Sequence, residues 1–203
     1  MGRQKQNKPR RPAGGTFRVR DALDADIPGL CTVMPDAFGL MGGAPWADPG
    51  YVAQGLESCA AGLSGRQRIK VAVEDSNMVG GSYSGLALAD DGQTAHTQLG
   101  VIHGIAVRPD RRRRRAATAL LTTCEDYLAE EGARVMLAEV RPRSVGFFAA
   151  RGYEAVPGPA LVIPSTAGTY VHQQTTATTT LMWKSVAGAV SLDGTALVGL
   201  LDT

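Results

Sequence analysis

Five consecutive arginines, Arg111–Arg115, carry the strongest chemical signal in this 203-residue chain. They follow a predicted strand ending at Val107 and a Pro109-Asp110 turn, and they precede an amphipathic helix. A strand-loop-helix gathers backbone N–H groups and the positive helix end at one spot, an anion site suited to a phosphate or pyrophosphate. The arginines add fixed charge and forked donors. The run also reads as a solvated charge run or a nucleic-acid patch, but its slot between strand and helix favours the phosphate cradle. On the same strand, His103 falls by two-residue alternation on one face with Val101, Ile105 and Val107. An unperturbed histidine titrates near pH ~6.5, which suits a base at neutral pH. A half-buried strand histidine with a structural hydrogen bond is the plainer reading. Cys31, Cys59 and Cys124 are odd in number, widely spaced and form no C-x-x-C, which argues against a disulfide framework and a zinc site. Cys124 lies on an apolar helical stripe and reads as core. His96, His103 and His172 show no helical metal-ligand spacing, so no metal is expected.

These residues need a scaffold, and the composition allows one. The length fits a single domain, and 44% apolar with 20% charged residues is the balance of a soluble globular protein. The net charge of +2 conceals an uneven distribution. Residues 1–12 hold five basic side chains and residues 111–115 five more; without those ten, 11 basic residues face 19 acidic ones, a net −8. Residues 1–15 are polar and basic and read as a flexible tail without a signal-peptide apolar run. No aromatic residue is interleaved there to stack on bases, so nucleic acid is a disfavoured partner. No segment is long and apolar enough for a bilayer; Val186–Leu201 is short and carries Asp193. A cytoplasmic location is expected, and a homodimer is left open.

The elements follow from periodicity. Thr16–Arg20 reads as a strand, Asp24-Ala-Asp-Ile-Pro as a helix start, and residues 35–50, rich in Gly and Pro, as a loop. Tyr51–Leu63 has helical apolar spacing. Ile69–Glu74, Met78–Leu88 and Gln98–Val107 read as strands, residues 116–131 as the clearest helix, Arg134–Val140 as a strand and Ser144–Arg151 as a short helix. Residues 153–163 and 177–184 read as a last pair of strands, and residues 185–203 either dock or wander. This order implies a mixed sheet with helices against it.

At this point the arginine segment becomes specific. It resembles motif A of the GNAT superfamily of acetyl-CoA-dependent N-acyltransferases: Val-x-Pro-x-x, then Gln/Arg-x-x-Gly-x-Gly/Ala, then a helix with paired apolar residues. Val107 and Pro109 match, Arg112 fills the Gln/Arg position, Ala117 the final Gly/Ala position and Leu120-Leu121 the pair; Arg115 replaces the middle glycine. Pro142–Tyr153 is similar to motif B, Asn-x-x-Phe-Tyr-x-x-x-Gly-Phe, with Ser144 at Asn, Phe147 at Phe, Phe148 where the family often has Tyr, and Gly152 and Tyr153 at the close. The resemblance spans about residues 16–184 in the right order. It implies an α/β (α+β type) GNAT fold, with a mixed central sheet of about seven strands and about four helices packed on it, a basic tail at 1–15 and a C-terminal extension at 185–203.

The resemblance also implies roles. Acetyl-CoA is the expected co-substrate, held by Ile105, Ala106, Val107, Arg112, Arg113, Arg114, Arg115, Ala116, Ala117, Thr118, Ser144 and Phe148. The loop arginines contribute backbone donors, with one or two side chains reaching phosphates. His103 resembles the histidine of the His-x-Leu-x-Val strand of arylalkylamine N-acetyltransferases, and so becomes a catalytic candidate beside Glu139, whose alternative is a surface pair with Arg141. Phe148 cannot protonate the departing thiolate as the family's tyrosine does. The expected acceptor is a primary amine of a small molecule or peptide, drawn by Glu57, Glu74, Asp90 or Asp91, with Trp46 or Trp183 as wall or packing and Ser165–Thr180 as cover. The rival reading is a non-catalytic module of the same fold that binds CoA or a nucleic acid.

Overall fold

The computed structural model describes residues 17–62, 66–88, 95–165, 168–173, 178–186 and 190–199. The basic tail, Asp90 and Asp91 therefore lie outside the described residues. Eleven strands and five α-helices are described: β1 Arg18–Asp21, α1 Ile27–Val33, α2 Pro35–Gly42, α3 Pro49–Ala60, β2 Arg68–Glu74, β3 Asn77–Leu88, β4 Ala95–Val107, α4 Ala116–Glu130, β5 Val135–Val140, α5 Pro142–Ala149, β6 Glu154–Ala155, β7 Ala160–Ser165, β8 Gly168–Gln173, β9 Thr180–Ser185, β10 Ser191–Asp193 and β11 Ala196–Val198. The central sheet has seven strands in the order β1-β2-β3-β4-β5-β9-β6. Only β4 and β5 are parallel in it, because α4 crosses over between them.

Central strand β5 is buried on both faces, as its near-continuous apolar run demands. Met136, Ala138 and Val140 pack with Leu121, Cys124 and Leu128 of α4 and Phe148 of α5. Val135 and Leu137 face the other way, against Leu161, Ile163 and Leu197 of a second sheet. On β2, Val71 packs under α1–α3, whereas neighbouring Ala72 meets Ala116 and Leu120 of α4. One face thus carries α1–α3 and the second sheet, and the other carries α4 and α5.

Two expectations are corrected, and the choice left open for the C-terminal segment is decided for residues 190–199. Residues 35–50 are largely helical: α2 starts at Pro35 and a 3-10 turn spans Pro45–Ala47. Their prolines stand at first helical positions, where a missing N–H costs nothing, so they start helices rather than break them. The strand expected over 153–163 is two strands in different sheets. Pro157 and Pro159 cannot donate to a ladder, so β6 pairs with β9 while β7 leaves for the second sheet, β10-β11-β7-β8. The C-terminal segment docks: Val190 and Leu197 are buried between the sheets, and Gly194 at φ +58 turns the β10–β11 hairpin.

Candidate active site

β4 and β5 pair only from Leu99↔Val135 to Ile102↔Ala138. Beyond that point they part, and the cleft between them is a cavity of about 320 Å³ lined by residues 102–107 of β4, Glu139 and Val140 of β5, Asp36 and Ala37 of α2, Arg112, Ala117, and Arg141, Arg143, Ser144, Phe147 and Phe148 around α5. Backbone N–H and C=O groups at the parted edges have lost their ladder partners, so a ligand with amide groups can take their place.

At one end of the cleft lies an anion cradle. Arg115 caps α4 at φ +73 and offers no side-chain hydrogen bond. The first-turn N–H groups at Ala116–Thr118 are therefore open. The conformation is the left-handed one a glycine adopts freely. The chain thus keeps the glycine geometry of the motif with an arginine in it. Arg113, at φ +62, shares this strain. A second cavity at this helix end is lined by Arg111, Arg112, Arg113, Arg115, Ala116, Ala117, Thr118, Phe147 and Arg151. The side chain of Arg114 is not part of it; Arg114 and Arg111 flank Glu74 of β2 at 4.0 and 3.1 Å. Arg112 donates to the Val107 carbonyl at 3.1 Å and pairs with Asp36 at 3.1 Å. Arg151, which the sequence reading missed, stacks on Phe147 at 3.8 Å and donates to Thr118 Oγ1. Its spacing of four residues from Phe147 on a short helix was the available signal.

At the other end of the cleft are His103 and Glu139. The expected alternation around His103 fails. β3 and β4 shift register between Tyr83↔Gly104 and Ser84↔Ile102, leaving His103 as the extra residue of a β-bulge. Val101 consequently faces the inter-sheet core, while Ile105 and Val107 pack toward α4. The bulge aims His103 into the cleft, with its ring stacked on Tyr83 at 4.8 Å. The side chain is half-buried, but its Nε2 is shut from solvent and has no partner among the described residues. Burial, and secondarily the charge of His172, pull its pKa down to about 4. His103 is thus neutral at neutral pH and able to accept a proton, although as a weaker base than a free histidine.

Glu139 accepts a hydrogen bond from Thr179 Oγ1 and acts electrostatically on His172 of β8, whose own pKa burial lowers. The surface pair with Arg141 is not made: Arg141 instead donates to the Asp36 backbone carbonyl. His172 and Thr179 fall within Ser165–Thr180, the segment expected as cover, but neither was singled out. His172 arrives on β8 of the second sheet, a placement no local pattern encodes, whereas Thr179 directly precedes β9, which pairs with β5.

The other candidates separate clearly. Ser144 and Phe148 line the cleft, with Phe148 buried edge-on against Tyr153 at 5.1 Å. Trp46 stacks on Phe38 at 5.0 Å within the core under α1–α3, and Trp183 is buried between the sheets; neither lines the cleft. Cys124 is buried, with its thiol against Ser82 Oγ at 3.3 Å. Of the acids expected to draw an amine, Glu74 is neutralised by Arg111, and Glu57 does not line the cleft.

A model of the acetyltransferase (GNAT) family matches residues 43–153, just over half of the chain. The chain belongs to this family and is an acetyltransferase. Among curated proteins, none matches its sequence. Solved structures share its fold at low identity. PaiA N-acetyltransferase from Thermoplasma acidophilum, in complex with coenzyme A, is 11% identical with a TM-score of 0.61, over 84% of this chain and 99% of that one. Ribosomal-protein-alanine N-acetyltransferase from Brucella melitensis is 19% identical with a TM-score of 0.61, over 83% and 99%. Phosphinothricin acetyltransferase from Sinorhizobium meliloti, in complex with acetyl-CoA, is 16% identical with a TM-score of 0.60, over 84% and 89%. No helix among the described residues is long and apolar enough to cross a membrane.

Proposed function

We propose that the protein transfers the acetyl group of acetyl-CoA to a primary amine of a small molecule or peptide by direct attack, in the cytoplasm. The observation that carries this is the cleft itself: parted strands that join an anion cradle at one end to a neutral histidine at the other, whose Nε2 has no partner among the described residues. Of the three similar structures described above, one is a complex with coenzyme A and another with acetyl-CoA.

In this reading the open N–H groups at Ala116–Thr118, with Arg113, Arg115 and Arg151 around them, hold the pyrophosphate. The parted edge of β4 pairs with the amides of the CoA arm, and a backbone N–H near Ile105–Val107 polarises the acyl carbonyl. Ser144 and Phe148 bound the arm from α5. His103 takes the proton of the attacking amine, directly or through water, and Glu139 is the second group able to do so. Phe148 has no proton to give, so the departing thiolate is protonated by water or another group. Three free cysteines suit a reducing compartment.

Acetyl-CoA incubated with a mixed panel of primary amines, with thiol release followed, tests the reading. Release above the amine-free blank with at least one amine is expected. CoA binding without release across the panel contradicts it.

A further inference from the structure

The cleft contains more cationic groups than acetyl-CoA accounts for. Its charged lining is Asp36 and Glu139 against Arg112, Arg141 and Arg143. Asp36 pairs with Arg112 at 3.1 Å, and Glu139 is hydrogen-bonded by Thr179. Among the described residues neither Arg141 nor Arg143 makes an ion pair within 4.0 Å. Arg141 donates only to a backbone carbonyl. Partial burial and the neighbouring Arg143 push its pKa down, against a smaller upward pull from Asp36.

These two arginines are not a spare phosphate site. The helix end that suits pyrophosphate has its own cations, Arg113, Arg115 and Arg151, in a cavity that neither Arg141 nor Arg143 lines. Arg141 and Arg143 follow Glu139 by two and four residues, and Arg141 reaches the backbone of Asp36, whose side chain pairs with Arg112. Two residues of extended chain span at most about 7 Å, so a cationic fork stands within one small molecule's length of Glu139. A guanidinium presents two parallel N–H donors that match a carboxylate.

We infer that the acceptor is a small amino acid: its amine faces His103 and Glu139, and its carboxylate is held by Arg141 and Arg143. This rests on the acetyl-transfer reading and narrows it, selecting against polyamines and peptide N-termini, which bring no carboxylate beside the amine.

The test uses matched sets, each an amino acid, its carboxamide and the corresponding decarboxylated amine, assayed by thiol release from acetyl-CoA at equal concentrations of unprotonated amine. At least one acid is expected to exceed both partners in kcat/KM by about 10-fold or more, the scale of a lost charge-assisted contact. Arg143→Ala is expected to collapse that ratio toward one, mainly through KM, and Arg143→Lys to restore part of it. CoA affinity of Arg143→Ala, measured by calorimetry, is expected to stay within about twofold of the parent. Preference for the carboxamide, which mimics a peptide N-terminus, or for the decarboxylated amine, overturns the inference while leaving acetyl transfer standing. So does an Arg143→Ala defect that appears as weakened CoA binding. If no member of any set releases thiol, acetyl transfer to amines falls, and the inference with it.

Discussion

Arg115 holds φ +73 at the first turn of the helix that faces the pyrophosphate cradle. An L-residue pays about 1–2 kcal/mol for that geometry. Glycine would not, although its freer unfolded chain returns roughly 0.5–1 kcal/mol of the gain. Arg115→Gly is therefore expected to stabilise the protein by about 0.5–1 kcal/mol, a rise in Tm of about 1–4 °C by calorimetry. An unchanged or lower Tm would mean the Arg115 side chain makes compensating contacts. His103 is the other decisive residue. Its depressed pKa keeps it neutral down to about pH 4. Corrected for the unprotonated fraction of amine, kcat/KM should thus lose activity toward pH 4 and show no limb near pH 6.5. His103→Ala is expected to lower turnover by about 10²-fold or more. An unaltered rate would remove His103 from the mechanism.

Elements set where these residues can act. β4 supplies both a bulge and a parting edge. The bulge is an accident of pairing between β3 and β4: one residue more on one strand, invisible to an alternation argument made on a single strand. The α4 loop divides its arginines by direction. Arg113 lines the anion cavity, whereas Arg114 turns toward Glu74. Calorimetry should accordingly show Arg113→Ala weakening CoA binding by about 3-fold or more, on the scale of one lost charged contact, and Arg114→Ala leaving it nearly unchanged. Equal losses would place Arg114 on the phosphates as well. Long periodic elements such as α4 and β5 were legible because their apolar stripes are continuous. The Pro- and Gly-rich α2 was not, since a proline at a helix start and one that breaks a helix look alike without the tertiary partner.

Across the whole molecule, the sequence made the seven-stranded sheet and both motifs readable but not the second sheet. That sheet assembles from residues 160–173 and 191–198, which are far apart in the chain, and it brings His172 toward Glu139. The net charge of +2 takes on spatial meaning as well. Arginines line both the cleft and the anion cavity beside it, while among the described acids expected to draw an amine Glu74 pairs with Arg111 and Glu57 does not line the cleft. The claim that joins these scales is direct acetyl transfer to an amine. Its most direct measurement is mass spectrometry after incubation with isotopically labelled acetyl-CoA and a primary-amine panel. The account predicts label on an amine nitrogen in amounts matching the CoA released, and none on the protein. Label recovered only as acetate, or retained on the protein chain, would contradict it.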